Sequence, residues 1–526
     1  MTEAEDSRTE NRPLTIVTGA DQSHFRSLCQ FLASAAEHEP GTRLVVYDLG
    51  LDPDQAAIIR ELFDSTDLVS FDFGAYPEHL NVRVDRGCYS WKPVCIDETF
   101  RKTDGDVVWF DSGCVITEPL TRVRDILADV GVYSPASSGT VENWTHPATL
   151  AYLGAGQSIL RRRNYNGACV GVSRLFEGRH HLLRRWRDCA VTKACIAPEG
   201  SDRGNHRQDQ AVLTVLLYQL GLSGTMPKPA LGFKTHQDIS RPHPVYGFHR
   251  KLFLQVRSGL SNRLRTLLSA KWLAERFGRE LYVVWKPDKA CGARWRDLFQ
   301  DPLNEVEELS EGTRAMDGSD LPALQRALAS SRNTIGVCDI RALVSEPYLH
   351  HVGEALDGLT PTTQVRRRVD SLVGDFDSKV MGVHVRRVDF SRYLWGRGVA
   401  VPGLDQYYEH LDAWPGRFYL ATDGGLEVEQ EFGNRYGDRV ITQTKHASGR
   451  DSPEAIQEAL VDLLVLRKCA GLIGTKYSSF TNLARRFDAP CTRLVKPLPW
   501  TAVPTDLSVR IASHYRHCLR LLSSSQ

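Results

Sequence analysis

The residues best equipped for chemistry in this chain are two adjacent arginines in the string His384-Val-Arg-Arg-Val-Asp389. A guanidinium presents a planar fork of donors and stays charged at any working pH, so a pair of them suits a pyrophosphate. Arg386 and Arg387 could therefore do the work of a metal ion. A fixed cation beside a departing diphosphate favours the transition state, where negative charge builds up, over the ground state. An isolated Arg-Arg pair is usually a solvated surface feature. Here the pair directly follows the apolar run Val380 to Val383, which calls for a reason to bring charge so near a core. Asp389 closes the string, as a residue that aligns Arg386 or acts as a base.

Asp462 is the second candidate. Helical spacing puts it with Ala455, Ala459 and Leu466 on a mostly apolar stripe, where an unpaired carboxylate is costly. A carboxylate can accept together the N1–H and exocyclic amine of guanine, an edge that adenine lacks. A salt bridge to Arg467 or Lys468, or simple solvation, would also satisfy it. The third signal is Gly474-Thr-Lys-Tyr-Ser-Ser-Phe480, where Ser478 and Ser479 with the backbone N–H groups of a helix start form a phosphate cradle. Helix caps use serine for structural reasons too.

These groups need elements to hold them, and the chain supplies two α/β series. The first alternates β-rich runs at Leu14 to Thr18, Leu44 to Tyr47, Leu68 to Phe71 and Val107 to Phe110 with helical stretches that include Leu182 to Val191 and Gln208 to Leu220. Proline pairs at Met226-Pro-Lys-Pro and Ser240-Arg-Pro-His-Pro244 predict a linker near residue 240. The second series opens with a strand at Lys251 to Val256, a turn Arg257-Ser-Gly-Leu-Ser-Asn-Arg263, a helix ending near Gly278 and a strand at Leu281 to Trp285. The stretch from Pro302 to Asp370 is poorly patterned apart from a strand at Asn333 to Val337. From Lys379 the pattern sharpens again: strands to Val385, at Arg417 to Ala421 and at Gly471 to Gly474, a helix from Pro453 to Lys468, and another from Ser479. Ser452 as N-cap, Pro453 in the first turn and Glu454 at the positive end of the dipole fit that helix start.

At 526 residues the chain exceeds one ordinary core, so two or three domains are expected. Hydrophobic residues at 42% and charged residues at 25% belong to a folded protein. The formal charge of +1 gives no global drive toward nucleic acid or anionic membrane, so an anionic ligand must be held locally. No apolar run reaches spanning length and the polar start lacks a signal-peptide pattern, which points to a cytoplasmic protein. The twelve cysteines lack metal-site spacing and are expected to be mostly buried free thiols.

In order and spacing, His-x-Arg-Arg-x-Asp, then Ala421-Thr-Asp423, then Asp462 sixteen residues before the serine pair resembles the donor half of the GDP-fucose-dependent fucosyltransferase superfamily, which includes the nodulation, α-1,6 and peptide O-fucosyltransferases. The resemblance implies that Arg386 binds the β-phosphate, His384 and Asp462 the guanine, and Ser478 with Ser479 the phosphates, while Asp423 positions the arginines. Gly259-Leu-Ser-Asn262-Arg263 looks like the family's glycine-rich turn near the donor phosphates. The likeness spans roughly residues 246 to 500, is specific over 379 to 486 and thin over 290 to 375. Phe390-Ser-Arg-Tyr-Leu departs from the lysine and nearby glutamate of the α-1,6 enzymes, leaving the base open.

The first half, through Tyr89-Ser-Trp-Lys-Pro93, Val107-Val-Trp-Phe-Asp111-Ser-Gly113, Asn166-Gly-Ala168 and His206-Arg-Gln-Asp-Gln210, resembles GT-A nucleotide-diphospho-sugar transferases. That family binds a divalent cation with a strand-ending Asp-x-Asp, but Gly113 stands at the second acid. Asp111 is then a metal ligand or a ribose ligand. Asp209 is either a group near the acceptor or reacting carbon or the cap of its helix. The implied architecture is a GT-A-like Rossmann-type domain (13–238) fused to a GT-B-like domain with two Rossmann-like halves, 246–375 on the acceptor side and 376–505 on the donor side, then a C-terminal helix (506–526). The implied activity is metal-independent, inverting transfer of fucose from GDP-fucose to a glycan or glycoconjugate, with a second sugar added by the first domain. A nucleotide-sugar-binding scaffold, or a GT-B transferase with another donor, are the alternatives.

Overall fold

A computed structural model describes residues 12–222, 231–240, 250–309, 314–330, 334–339, 341–374, 376, 379–387, 399–447, 449–486, 492–496 and 498–499. Asp389, the second proline-rich stretch beyond Ser240, Met226-Pro-Lys-Pro and the helix expected over 506–526 lie outside the described residues. The chain is mixed α/β and divides into two compact units. One runs to Lys251 and takes in Glu275–Glu280 and Pro322–Asn333, and the other comprises Leu252–Ala274, Leu281–Leu321 and the chain from Thr334 onward. Among the described residues no helix is long and apolar enough to cross a membrane.

The first unit is built on a six-stranded sheet. Its strands are β1 (Leu14–Ala20), β2 (Arg43–Asp48), β3 (Thr66–Ser70), β4 (Asp106–Phe110), β5 (Val132–Tyr133) and β6 (Cys169–Val172), in the spatial order β3-β2-β1-β4-β6-β5. β1 pairs in parallel with both β2 and β4, so the strand order reverses beside it. β6 runs antiparallel to β4 and β5. Every residue of β1 and of β4 is buried, as continuous apolar runs covered on both faces should be. The helices of this unit include α1 (Phe25–His38), α2 (Trp91–Lys102) and α3 (Gln208–Gln219).

The second unit contains two sheets. In the four-stranded one, β7 (Lys251–Val256), β8 (Glu280–Val284), β9 (Arg314–Asp317) and β10 (Thr334–Asp339) lie in the order β8-β7-β10-β9, and α4 (Leu260–Phe277) follows β7. The five-stranded sheet has β11 (Met381–Val385), β12 (Phe418–Thr422), β13 (Val440–Ile441), β14 (Gly471–Thr475) and β15 (Thr492–Val495) in the order β13-β12-β11-β14-β15, all parallel. Val383 and Val385 join Phe418, Leu420, Phe432 and Ile473 in the core of one sheet face. The two-residue period sends His384 and Tyr419 to the other face, toward α5 (Pro453–Lys468) and α6 (Ser479–Ala484). α5 begins where the sequence predicts, with the Ser452 hydroxyl accepting from the Ala455 N–H and Pro453 in the first turn.

The cysteines depart from expectation in one pair. Cys189 and Cys195 are joined in a disulfide, the backbone having brought their Cα atoms to 5.2 Å, which spacing alone does not reveal. Cys29, Cys88, Cys95, Cys114, Cys169, Cys291 and Cys469 are buried free thiols, and Cys338 is a half-buried one.

Candidate functional site

In parallel sheets, ligands bind beyond the carboxyl ends of the strands where the strand order reverses. In the five-stranded sheet that point lies between β11 and β14, and both loops carrying sequence candidates start there. Arg386 leaves the end of β11 with its Nη1 2.9 Å from Asp423 Oδ2. The other Asp423 oxygen accepts the Arg387 N–H at 2.6 Å, so one carboxylate from the end of β12 orients both arginines. The two side chains then part. Arg386 keeps a partly exposed guanidinium, whereas Arg387 Nη1 donates to the Pro402 carbonyl at 2.9 Å.

A third guanidinium joins them. Arg450 Nη2 lies 3.6 Å from Asp423 Oδ2, and its Nη1 would be 3.9 Å from a Cβ placed on Gly259. Its backbone carbonyl accepts from the Gly292 N–H at 2.7 Å, linking the two sheets of this unit. Gly292 has no alternative, because a Cβ there would sit within van der Waals overlap of the Asp451 carbonyl. Sequence reasoning missed Arg450. It stands in Gly449-Arg-Asp451 just before the Ser452 cap, and a charged loop residue has no periodicity to expose it.

The Thr475 hydroxyl fastens β14 to β11: it accepts from the Arg386 N–H at 3.0 Å, donates toward the His384 carbonyl at 3.2 Å and meets the buried Tyr407 hydroxyl at 2.6 Å. Next along the loop, Tyr477 adopts φ 68°, a left-handed turn that an aromatic residue rarely takes and that costs about 1–2 kcal/mol. The turn delivers Ser478, which caps α6 by accepting from the Thr481 N–H, and Ser479, the first residue of that helix. The buried His384 ring stacks on Phe480 at 4.8 Å and bonds through Nδ1 to Thr481 Oγ1 at 2.7 Å. Burial, helped by Arg386 and Lys445, pushes its pKa down to about 3, so the imidazole is neutral at working pH.

Asp462 is buried on α5. It accepts from the Tyr419 hydroxyl at 2.7 Å and from the Gln443 side-chain amide, and faces Lys445 Nζ at 3.1 Å. Burial raises its pKa against the pull of Lys445, Tyr419 and Gln443. The salt-bridge partner is thus Lys445 instead of Arg467, which pairs with Asp357. In the four-stranded sheet, Ser258 at φ 70° turns the chain through Gly259 into α4, and Asn262 Nδ2 donates to Ser258 Oγ at 3.0 Å. Arg263 is fully buried. Its guanidinium donates to the Ser258 and Lys286 carbonyls and pairs with Asp288 at 2.6 Å, which makes it a clamp between the turn and the loop after β8.

The first unit has its own candidate site at its own point of reversal, beside β1 and β4. Asp111 follows β4, and Asp209 lies in the first turn of α3 without capping it, since Arg207 holds the N-cap position. Between the two carboxylates sits the Lys92 ammonium, 2.9 Å from Asp111 Oδ1 and 3.0 Å from Asp209 Oδ2. Lys92 also donates to the Gly167 carbonyl at 3.1 Å, and the Trp109 indole N–H donates to Asp111 Oδ1 at 2.7 Å. A cavity of about 510 Å³ opens over these groups. The run Asp85 to Tyr89 reaches it through five successive positive φ values, 44°, 55°, 64°, 48° and 53°, costing roughly 1–2 kcal/mol for each residue other than Gly87. Lys92 is visible in the Tyr89-Ser-Trp-Lys-Pro93 string, but nothing there shows that it bridges two acids distant in sequence.

Comparison with known proteins finds no matching family model and no matching curated sequence. Solved structures do align. NodZ α-1,6-fucosyltransferase co-crystallised with GDP is 21% identical over 45% of this chain and 92% of its own, with a TM-score of 0.36. Fucosyltransferase NodZ from Bradyrhizobium is 19% identical over 45% and 93%, with a TM-score of 0.34. POFUT1 in complex with GDP-fucose is 10% identical over 47% and 98%, also at 0.34.

Proposed function

We propose that the second unit is a glycosyltransferase that moves fucose from GDP-fucose to a glycan or glycoconjugate acceptor with inversion and without a metal, using residues 246–375 as a GT-B-like acceptor half and 376–505 as the donor half. The observation that carries this reading is the Arg386 guanidinium, held by Asp423 at the end of the central strand and flanked by Arg450. A diphosphate set there meets two fixed cations, and as the sugar–phosphate bond breaks the growing negative charge is met without reorganisation. The loop from Thr475 to Ser479 supplies hydroxyls and N–H groups from the neighbouring strand end. His384 and Asp462 on the same sheet face would hold the base, with Asn262 and the Gly259 turn closing from the other half. Asp389 keeps its role as aligning residue or base in this reading.

In calorimetry with the intact chain, GDP-fucose and GDP bind equally with and without chelator, and Arg386→Ala abolishes binding while thermal unfolding stays cooperative. Chelator-sensitive binding would remove the reading. The filled Asp462 carboxylate favours one alternative, a transferase for a donor whose base offers no guanine edge; in that case UDP-sugars bind and GDP-fucose does not.

We propose further that residues 13–238 form a GT-A-like domain that adds a second sugar, supported by the cavity over Asp111 and Asp209. A cytoplasmic setting fits the buried free thiols, whereas the Cys189–Cys195 pair points to an oxidising compartment.

A further inference from the structure

The GT-A likeness of the first unit implies a divalent cation at Asp111, and the residues around Asp111 do not fit one. Gly113 removes the second acid of an Asp-x-Asp pair. Asp111 Oδ1 is already engaged by the Lys92 ammonium and the Trp109 indole, and Asp209 faces the same ammonium. Among the described residues, the one group of three acid, histidine or cysteine side chains close enough to share an ion is His350, His351 and Glu354, in the other unit. A dication brought to Asp111 would also meet a buried positive charge at hydrogen-bond distance.

The lysine is placed where folding alone would not put it. It lies in the first turn of α2, next to the positive end of the helix dipole, and is 2% exposed. Both features disfavour an ammonium, and the two carboxylates, the Gly167 carbonyl and the faces of Tyr89 and Trp109, each 5.9 Å away, offset them. Three arginines line the cavity, which Asp21 and Asp238 also line. Arg203 donates to the Tyr89 hydroxyl at 2.6 Å and lies over that ring, Arg207 lies over the Trp144 ring at 4.1 Å, and Arg86 comes from the left-handed run. Guanidinium groups stacked on aromatic faces keep their donor edges directed outward, an arrangement suited to phosphate oxygens. The volume suits a nucleotide-sized ligand.

We infer that this cavity is a second, metal-free nucleoside-diphosphate site in which Arg203, Arg207 and Arg86 take the diphosphate and Lys92 holds Asp111 and Asp209 toward the attached sugar. This deepens the proposal that the first unit is a sugar-nucleotide transferase and rests on it.

The test is hydrogen–deuterium exchange on the intact chain, following peptides that span residues 82–95 and 203–210, with UDP, GDP, ADP and CDP in turn, each in EDTA and in excess Mn²⁺. At least one nucleotide protects both peptides, equally in the two conditions, and Arg203→Ala with Arg207→Ala weakens that binding at least tenfold. The paired arginine variant matters because Lys92→Met could fail to fold, whereas Arg203 is exposed at the rim. Protection that requires Mn²⁺ would overturn the metal-free site and leave the transferase proposal standing. Protection by none of the four, with or without Mn²⁺, would overturn both.

Discussion

The two candidate sites both lie where the strand order reverses, and they hold their cations differently. Around β11 a partly exposed arginine leans on the Asp423 carboxylate from the neighbouring strand, with the Arg450 guanidinium alongside. Around β4 a buried lysine is enclosed by two carboxylates, and that trio keeps a net negative charge, with the arginines displaced to the rim. The difference shows what burial does to a cation. A charge that must meet a ligand directly stays at least partly in water, whereas a charge taken out of water needs full compensation and then acts mainly by fixing its partners.

Substitutions break this contrast in graded steps. Lys92→Met leaves the buried Asp209 without its cation beside the half-exposed Asp111 and should cost about 3–5 kcal/mol, read as a lower urea midpoint for the first unit. Arg386→Ala should leave stability nearly unchanged and lower kcat/KM for GDP-fucose by about 10²–10³-fold in a GDP-release assay. Asp423→Asn keeps Arg386 but loosens its aim, with an expected loss of about 10–10²-fold, mostly in kcat.

His384 sharpens the comparison through pH. Its pKa is about 3 when folded and 6.5 in the unperturbed state, so between those values the unfolded chain binds a proton that the folded chain refuses. Its contribution to stability is therefore complete above about 6.5 and is lost as pH falls toward 3, at ~1.4 kcal/mol per pH unit. Between pH 7.5 and 5, urea midpoints for His384→Asn should fall less steeply than for the parent chain. Smallest of all, Ser452→Ala should cost about 1 kcal/mol of α5 stability, seen in the same urea titrations.

Local pattern reveals more of the scaffold than of the sites. The strands at Leu14, Leu44, Val107, Lys251 and Met381 announce themselves because apolar runs bounded by turns have few alternatives, and the Pro453 helix carries its own start signals. Between Pro302 and Val373 the helices Leu321–Ala329, Leu349–Asp357 and Thr363–Val373 are clearly two-faced but short, and a stripe of two or three buried apolar residues in each is easily passed over. Arg386, Asp423 and Asp462 stand out by type and order. Their partners Arg450, Lys445, Gln443 and Tyr419 do not, because each meets its acid only after separate elements pack together. Lys92 is hidden for the same reason, and Arg263 misleads in the opposite direction, its guanidinium being spent on the loop that it clamps.

The Gly292–Arg450 hydrogen bond gives the Asp423 cluster a mechanical input. Because the carbonyl of Arg450 is tethered to the loop beyond β8 while its side chain faces Asp423, any sliding of one sheet of the second unit past the other pulls on a guanidinium of the Asp423 cluster. A molecule seated on the four-stranded sheet would thus act on the Asp423 cluster without touching it.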